Sequence, residues 1–213
     1  MGSRDTRSRL LRRAAKADIS LPPSLPDRLA AFLDLLVRWN RKINLTALDD
    51  LDEAIDRLLL EPLAAVPHLP AGEGRLLDIG SGSGSPAIPL TLARPDLDLT
   101  MVDTKARKAA FLREAVRVLE LPRAIVETAR YQDLLERHGQ AGTYTAVTVR
   151  AVRIDSETVQ AIAHFLAPDG LALLFRGPTG PNELDDIGPL AWSGTYPLVE
   201  SLRSRLSVYR RVE

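Results

Sequence analysis

The most informative segment of this sequence is Arg75-Leu76-Leu77-Asp78-Ile79-Gly80-Ser81-Gly82-Ser83-Gly84-Ser85-Pro86. The apolar run at 76–79 predicts a short buried strand, the alternating glycines predict a tight loop, and residues 87–93 predict the first turns of a helix. A strand, a glycine loop and a helix in this order open a nucleotide-binding βαβ unit, where glycine lets the backbone approach a ligand closely. The helix N-terminus adds free N–H groups and a partial positive charge.

Two acids make this interpretation more specific. Asp78 ends the predicted strand, and Asp103 ends the next apolar run, roughly twenty residues past the loop, where an acid can bind ribose hydroxyls. A dinucleotide fingerprint would place its third glycine where Ser85 stands. An acid ahead of the loop suits a cationic amino-acid portion better than a pyrophosphate, so the pattern favours S-adenosylmethionine over NAD. The alternative is a plain strand-turn-helix with surface aspartates.

The composition bounds the class of protein. With 213 residues, 45% hydrophobic and 26% charged, the chain fits one large soluble domain, or one domain with a helical extension. No apolar run is long enough for a membrane span, and the polar, basic N-terminus predicts no secretory signal. Zero cysteines exclude disulfides and thiolate sites, and three widely spaced histidines (His68, His138 and His164) argue against a metal site. The cytoplasm is the expected location.

The charge is unevenly distributed although the formal net charge is zero. Zero net charge argues against a protein that coats nucleic acid with its whole surface. Against one acid, Asp5, the first sixteen residues nevertheless hold Arg4, Arg7, Arg9, Arg12, Arg13 and Lys16. This segment is interpreted either as a solvated or partly disordered tail, or as an arm that follows RNA phosphates.

Taken in order, the sequence predicts a helical region followed by alternating strands and helices. The first 70 residues are interpreted as a basic arm and a helical cap, with helices from Pro26 to Arg41 and from Asp49 or Asp50 to about Val66, the second kinked at Pro62. Residues 71–213 are interpreted as a Rossmann-like domain with a parallel sheet. Its predicted strands are 76–79, 97–103, 124–127, 143–149 and 171–175, with weaker candidates at 195–198 and 204–210 that suit an antiparallel edge hairpin. Its predicted helices are 87–94, 105–119, 130–138 and 155–166.

Five segments together are similar to one known family. They are Trp39-Asn40-x-x-Ile43-Asn44-Leu45-Thr46-Ala47, Leu77 to Leu90, Arg94-Pro95, Asp103 with Lys105 to Leu112, and Thr148-x-Arg150-Ala151-Val152. In these segments the chain resembles the RsmG (GidB) family, bacterial methyltransferases that act on N7 of a guanine in small-subunit (16S) ribosomal RNA. The resemblance covers roughly residues 30 to 177.

The resemblance implies a fold and a set of site residues. The fold is a class I S-adenosylmethionine-dependent methyltransferase, with a helical cap on a mostly parallel seven-stranded sheet. The cofactor is expected against Asp78, Gly80, Gly82, Gly84 and Ser85, with Asp103 at the ribose and Tyr131-Gln132 near the adenine. Arg150 is expected to line the methyl-transfer pocket as the candidate catalytic residue. The chain departs from the family pattern at Leu58, Glu61-Pro62, Ser85, Ala87, Tyr131-Gln132 and Arg176.

The sequence also bears on the acceptor. Methylation of cytosine C5 needs a cysteine nucleophile, which is absent, and exocyclic amines use an Asn/Asp-Pro-Pro segment where this chain has Val149-Arg150-Ala151-Val152. Guanine N7 has an exposed lone pair and needs no general base. Arg150 is interpreted as a donor to the cofactor carboxylate or to guanine O6, and a surface ion pair is the alternative. Expected RNA contacts are Arg41, Lys42 and Arg176.

Three functional hypotheses follow. The first is a monomeric methyltransferase for guanine N7 whose partner is 16S ribosomal RNA or the small ribosomal subunit. The second is an S-adenosylmethionine-dependent methyltransferase with the same scaffold that acts on a different acceptor, such as a small molecule or another RNA. The third is a module that has lost cofactor binding, against which the intact glycines, Asp78 and Asp103 argue.

Overall fold

The computed structural model describes residues 3–47, 50–136, 139–179 and 184–212. In these ranges a π-helical turn, Asp56–Leu60, joins two short helices, and 3₁₀ turns occupy Val66–His68 and Glu200–Leu202. The α-helices are α1 (Ser3–Lys16), α2 (Leu25–Ile43), α3 (Leu51–Ile55), α4 (Glu61–Ala65), α5 (Ala87–Ala93), α6 (Ala106–Val118), α7 (Tyr131–Leu135) and α8 (Ser156–Phe165). The strands are β1 (Gly74–Ile79), β2 (Leu97–Val102), β3 (Ala124–Glu127), β4 (Tyr144–Arg150), β5 (Leu166–Arg176), β6 (Leu190–Pro197) and β7 (Arg205–Arg211).

The described strands form one seven-stranded sheet in the order β3-β2-β1-β4-β5-β7-β6. Strands β1 to β5 pair in parallel, and β7 pairs antiparallel with both β5 and β6. The predicted α/β class and the mostly parallel sheet with a terminal antiparallel hairpin are therefore confirmed. The chain order reverses between β1 and β4, and ligands of such sheets bind at the carboxyl ends of the strands beside this switch point.

The sheet is buried on both faces, as a parallel sheet requires. Side chains alternate along β1, so Leu76 joins one apolar cluster and Leu77 the other. The first cluster includes residues of α1, α2, α4, α5 and α6, and the second includes residues of α8. The predicted cap and the predicted sheet domain thus share one core, and the proposed division at residue 70 stays a prediction.

Residues 3–16 form the packed helix α1, so the interpretation of this segment as a solvated or partly disordered tail is wrong. Thr6, Leu10 and Ala14 recur every four residues and are buried, which aligns one face of α1 against the cap. An RNA contact stays a prediction for the exposed Arg4, Arg12 and Lys16. The other arginines of α1 form ion pairs: Arg7 with Asp27, Arg9 with Asp5 and Asp52, and Arg13 with Asp52 and Asp56.

The segment predicted as one kinked helix is broken into α3, the π turn, α4 and a 3₁₀ turn. It begins at Asp50, whose side chain accepts a hydrogen bond from the Glu53 amide at 2.8 Å, whereas Asp49 lies outside the described residues. Proline has no N–H, so Pro62 cannot donate to the carbonyl of Leu58 four residues earlier. That carbonyl accepts instead from the Ser85 hydroxyl at 2.8 Å. The irregularity therefore lies in the turn before Pro62.

Three further boundaries differ from the prediction. Strand β5 begins at Leu166, five residues before the predicted start at Leu171, and the predicted turn is a register shift within the strand, with Asp169 in a left-handed conformation. Strand β6 begins at Leu190 and is longer than predicted, because pairing with β7 extends it. Helix α7 ends at Leu135, and His138, where the helix was predicted to end, lies outside the described residues.

Candidate functional site

The sequence-predicted site residues Asp78, Asp103 and Arg150 converge on the carboxyl edge of the sheet. Asp78 lies on β1, Asp103 follows β2 directly, and Arg150 ends β4. The glycine loop runs from β1 to α5 between them. Its first two amides, at Gly80 and Ser81, both donate to the Val102 carbonyl at 2.9 and 3.0 Å, which fixes the loop on the end of β2.

Asp78 is a buried carboxylic acid with one oxygen engaged and one free. Its Oδ1 accepts from the Thr148 hydroxyl at 2.6 Å, whereas its Oδ2 has no hydrogen-bond partner among the described residues. Burial raises the pKa of Asp78 to about 6, although the hydroxyls of Thr148 and of the nearby Ser81, and then the charge of Arg150, act to lower it. A buried acceptor without a donor is costly unless a ligand supplies one.

Asp103 holds the glycine loop in place through hydrogen bonds from two backbone amides. Its Oδ2 accepts from the Gly82 amide at 2.9 Å, and its Oδ1 accepts from the Lys105 amide at 2.8 Å. Each carboxylate oxygen can accept more than one hydrogen bond, so both oxygens retain lone pairs for a further donor. The side chain thus links the loop to the segment that opens α6.

The glycines of the loop serve different purposes. A Cβ on Gly80 would lie 2.6 Å from Val152 Cγ2, and one on Gly84 would lie 2.7 Å from Ile88 Cδ1. At these two positions the protein's own side chains need the space. A Cβ on Gly82 would make only ordinary contacts, the nearest at 3.6 Å with Gly80 O and Lys108 Nζ, so Gly82 is the least crowded of these three glycines and the one that a ligand can approach most closely.

Arg150 is joined to the cap. Its Nη2 lies 2.9 Å from Oε2 of the buried Glu61, and its Nη1 donates to the Arg57 carbonyl at 2.7 Å and to the Ser85 hydroxyl at 3.2 Å. Its Cζ lies 4.6 Å from the centre of the Phe175 ring. The ion pair is therefore internal and not on the surface, and contact of Arg150 or Ser85 with a cofactor stays a prediction.

Tyr131 and Gln132 open α7 at the carboxyl end of β3, and both side chains contact α8. The Tyr131 hydroxyl lies 3.1 Å from that of Thr158, and the Gln132 amide donates to Glu157 at 2.9 Å. These contacts fix α7 against α8. A role of the pair beside an adenine stays a prediction.

The expected RNA contacts lie on two different elements, α2 and β5. Arg41 and Lys42 are exposed in the last turn of α2, and Arg176 ends β5, where it donates to the Ser207 hydroxyl at 3.1 Å. Asn40 orders the turn after α2, since its Oδ1 accepts from the amides of Leu45 and Thr46 at 2.6 and 2.9 Å. A cleft of about 840 Å³ opens beside this turn, and Arg41 and Leu58 are among its lining residues.

The residues at this edge fit S-adenosylmethionine. The unpaired Oδ2 of Asp78 can accept a hydrogen bond from an ammonium group, and Asp103 can accept further hydrogen bonds from hydroxyls. Gly82, the least crowded glycine of the loop, allows a ligand to approach the backbone closely. Sequence reasoning assigned no role to Thr148, which bonds Asp78, or to Glu61, which pairs with Arg150. A signal existed for Glu61, because it is a lone acid inside the apolar run from Leu58 to Val66.

The described residues offer neither a metal site nor a membrane-spanning helix. No group of three or more histidine or acidic side chains there could hold a metal ion. None of the helices within those ranges combines the length and apolar character needed to cross a membrane.

Comparison with known proteins identifies close relatives. A family model described as rRNA small subunit methyltransferase G matches residues 26–187. The ribosomal RNA small subunit methyltransferase G of Halorhodospira halophila is 39% identical over 169 residues, which cover 79% of this chain and 78% of that protein. The enzyme of the same name from Stenotrophomonas maltophilia strain K279a is 39% identical over 176 residues, which cover 83% and 80%.

Solved structures that resemble this chain show the fold alone. A geranyl diphosphate methyltransferase in complex with GPP and sinefungin aligns with a TM-score of 0.57 at 15% identity, covering 71% of this chain and 78% of that one. A conserved hypothetical protein of Streptococcus pyogenes aligns with a TM-score of 0.52 at 17% identity, covering 66% and 88%. The fold therefore recurs in chains of different sequence, one of which is a methyltransferase.

Proposed function

The chain belongs to the rRNA small subunit methyltransferase G family, and from this premise we propose that it transfers a methyl group from S-adenosylmethionine to N7 of a guanine in 16S ribosomal RNA. When bound, S-adenosylmethionine supplies an electrophilic methyl group on its sulfonium. The task of the protein is then to hold this donor and the acceptor base in line.

The observation that carries this proposal is the free acceptor of Asp78. Its Oδ2 is buried at the carboxyl end of β1, beside the loop that a cofactor would approach. A cationic amino group would supply the missing donor and would favour the ionised acid. Nucleotides without an amino-acid portion offer no such ammonium donor, which is why Asp78 supports S-adenosylmethionine in particular.

The remaining cofactor contacts are proposed from their positions along the same edge. Asp103 follows β2 and retains lone pairs, so it is the proposed acceptor for the ribose hydroxyls. Tyr131 and Gln132 follow β3 and are the proposed neighbours of the adenine. Gly80, Gly82, Gly84 and Ser85 form the loop between them, with Gly82 as the proposed point of closest approach.

The chemistry of the acceptor supports N7. Guanine N7 is an exposed hydrogen-bond acceptor with its own lone pair, so the protein needs no group to remove a proton before transfer. Arg150 ends β4 near Asp78, and its proposed role is to line the pocket in which the base and the methyl group meet. Its charge next to the site would stabilise guanine O6 or the cofactor carboxylate.

The proposed RNA contacts are Arg41, Lys42 and Arg176. The exposed ends of Arg41 and Lys42 suit phosphates, and the cleft beside Arg41 lies within the size range of ligand pockets. The proposed partner is 16S ribosomal RNA, either free or within the small ribosomal subunit. A monomer acting in the cytoplasm is part of this proposal.

The test is transfer of a labelled methyl group to small ribosomal subunits that lack their native N7 methylation, followed by nucleoside analysis. The expected product is labelled 7-methylguanosine, absent from large-subunit and transfer RNA controls. An Asp78→Asn chain should give none, whereas Asp98→Asn, the same change on the exposed side of β2, should act like the native chain. Binding of S-adenosylmethionine without any transfer to ribosomal RNA would favour a different acceptor.

A further inference from the structure

Arg150 lies within the electrostatic reach of two buried carboxylates, Glu61 of the cap and Asp78 of the site. Burial lowers the pKa of Arg150, and the charges of Glu61 and Asp78 act to raise it. No other acid among the described residues has a comparable effect on this guanidinium. The side chains of Glu61 and Arg150 are only 4% and 16% exposed, so neither charge is screened by bulk water.

The ion-pair partner of Arg150 is Glu61. The guanidinium lies 2.9 Å from Glu61, donates to the Arg57 carbonyl and the Ser85 hydroxyl, and stacks on Phe175. Asp78 receives the Thr148 hydroxyl on one oxygen and nothing from the described residues on the other. Asp78, the acid proposed to bind the cofactor, thus keeps one unpaired oxygen although Arg150 lies near it.

We propose that Glu61 is a positioning residue that holds Arg150 away from Asp78, so that Oδ2 of Asp78 stays available for the ammonium group of the cofactor. The inference rests on the proposed function, because it concerns the same cofactor site. Glu61 does not touch the cofactor in this proposal and acts only through Arg150.

The segment that carries Glu61 is fixed to the edge of the cofactor site by two hydrogen bonds. Pro62 leaves the Leu58 carbonyl without its helical donor, and the Ser85 hydroxyl of the glycine loop supplies one. The Arg57 carbonyl accepts from Arg150 at 2.7 Å. Two carbonyls of the π turn therefore bind the edge of the cofactor site, and Glu61 is held at a fixed distance from it.

Loss of the charge of Glu61 should cause Arg150 to change its ion-pair partner. Nη2 of Arg150 has no well-aligned hydrogen bond to Glu61 or to any other described residue, so charge and not bond geometry holds the pair together. A buried guanidinium without a counter-ion is unstable, and the other anion whose charge acts on it is Asp78, which lies on β1 opposite Thr148, two residues before Arg150 on β4. In a Glu61→Gln chain we expect Arg150 to pair with Asp78 and to compete with the ammonium group.

The experiment compares two ligands by calorimetry. S-adenosylhomocysteine carries the amino-acid portion, whereas 5′-methylthioadenosine lacks it and does not reach Asp78. Glu61→Gln should weaken S-adenosylhomocysteine by roughly tenfold or more, because a charge-assisted hydrogen bond is lost, and should leave 5′-methylthioadenosine unchanged. Glu61→Asp keeps the charge and should retain most of the native chain's affinity for S-adenosylhomocysteine relative to 5′-methylthioadenosine.

The matched control is Glu53→Gln, the same change on an exposed residue of the neighbouring turn that pairs with Arg57 at 3.8 Å. It should affect neither ligand. Equal weakening of both ligands in Glu61→Gln would overturn the inference, since a purely structural role predicts that result. A Glu61→Gln chain that does not fold would also overturn it, because Arg150 would then be unable to move to Asp78. A native chain that binds neither ligand would overturn the proposed function as well.

Discussion

Substitution of Asp78 by asparagine should change the pH dependence of stability in a calculable way. Burial raises the pKa of this acid from its ordinary value of 3.8 to about 6. Since the folded chain holds the proton more tightly than the unfolded chain, ionisation as the pH rises destabilises the fold. The penalty is absent below about pH 4 and complete above about pH 7. At about 1.4 kcal/mol for each pKa unit, it amounts to ~3 kcal/mol.

Asparagine removes this penalty and adds a smaller, constant one. Its oxygen can still accept from the Thr148 hydroxyl, which bonds the native Oδ1 at 2.6 Å. Its amide group would lie where Oδ2 has no partner among the described residues, and buried donors without acceptors cost about 1–3 kcal/mol. The variant should be less stable than the native chain near pH 4 and equally or more stable near pH 8. It should not bind S-adenosylhomocysteine at either pH.

Urea denaturation of both ligand-free chains between about pH 4 and about pH 8 measures the difference in the free energy of unfolding. The difference should change by ~3 kcal/mol across this range. Asp98→Asn is the control, because Asp98 is exposed and its pair with Arg123 at 2.7 Å lies on the surface. Parallel curves for Asp78→Asn and the native chain would refute the assignment of a raised pKa to Asp78.

Three further substitutions test the loop and the surface. Gly84→Ala should lower the free energy of unfolding by about 1–3 kcal/mol more than Gly72→Ala in chemical denaturation. Both glycines have a left-handed φ, but only at Gly84 would the added Cβ lie 2.7 Å from Ile88 Cδ1. Equal losses in the two variants would refute the packing role. Ser85→Ala should lower stability by about 1–3 kcal/mol by leaving the Leu58 carbonyl without its donor, and a loss no greater than that of Ser83→Ala would contradict this. Replacing Arg41 and Lys42 together by glutamine should weaken RNA binding and reduce its salt dependence by roughly two counterions, and an unchanged slope in filter binding at varied salt would exclude phosphate contacts there.

The sequence was most informative where local chemistry determines the structure. The glycine loop and the apolar runs on either side of it predicted β1, α5 and β2, because these elements follow from patterns only a few residues long. The resemblance extended the prediction to the seven strands, and Asp78 and Asp103 lie at the predicted edge of the sheet. Trp39, in the first of the segments that resemble the family, contacts Phe111 of α6 with ring centres 5.8 Å apart.

The predictions that failed depended on partners distant in the sequence. The basic residues of α1 suggested a tail because Asp52 and Asp56, which pair with Arg13, lie about forty positions away. The role of Glu61 depends in the same way on Arg150, a strand end that no local pattern connects with the cap. The early start of β5 depends on pairing with Tyr144 of β4 across a register shift. Ion pairs and sheet registers of this kind require the folded chain.

The contact between Asp56 and Ser201 bears on how the chain is made in the cell. The Ser201 hydroxyl donates to this buried carboxylate at 2.5 Å across a separation of 145 residues. A ribosome releases Ser201 only after it has added 145 residues beyond Asp56. Until then the acid lacks one of its partners, and nascent chains arrested before that point cannot complete this part of the cap. We therefore expect the helical cap to reach its final packing only after the segment that carries Ser201 has left the ribosome.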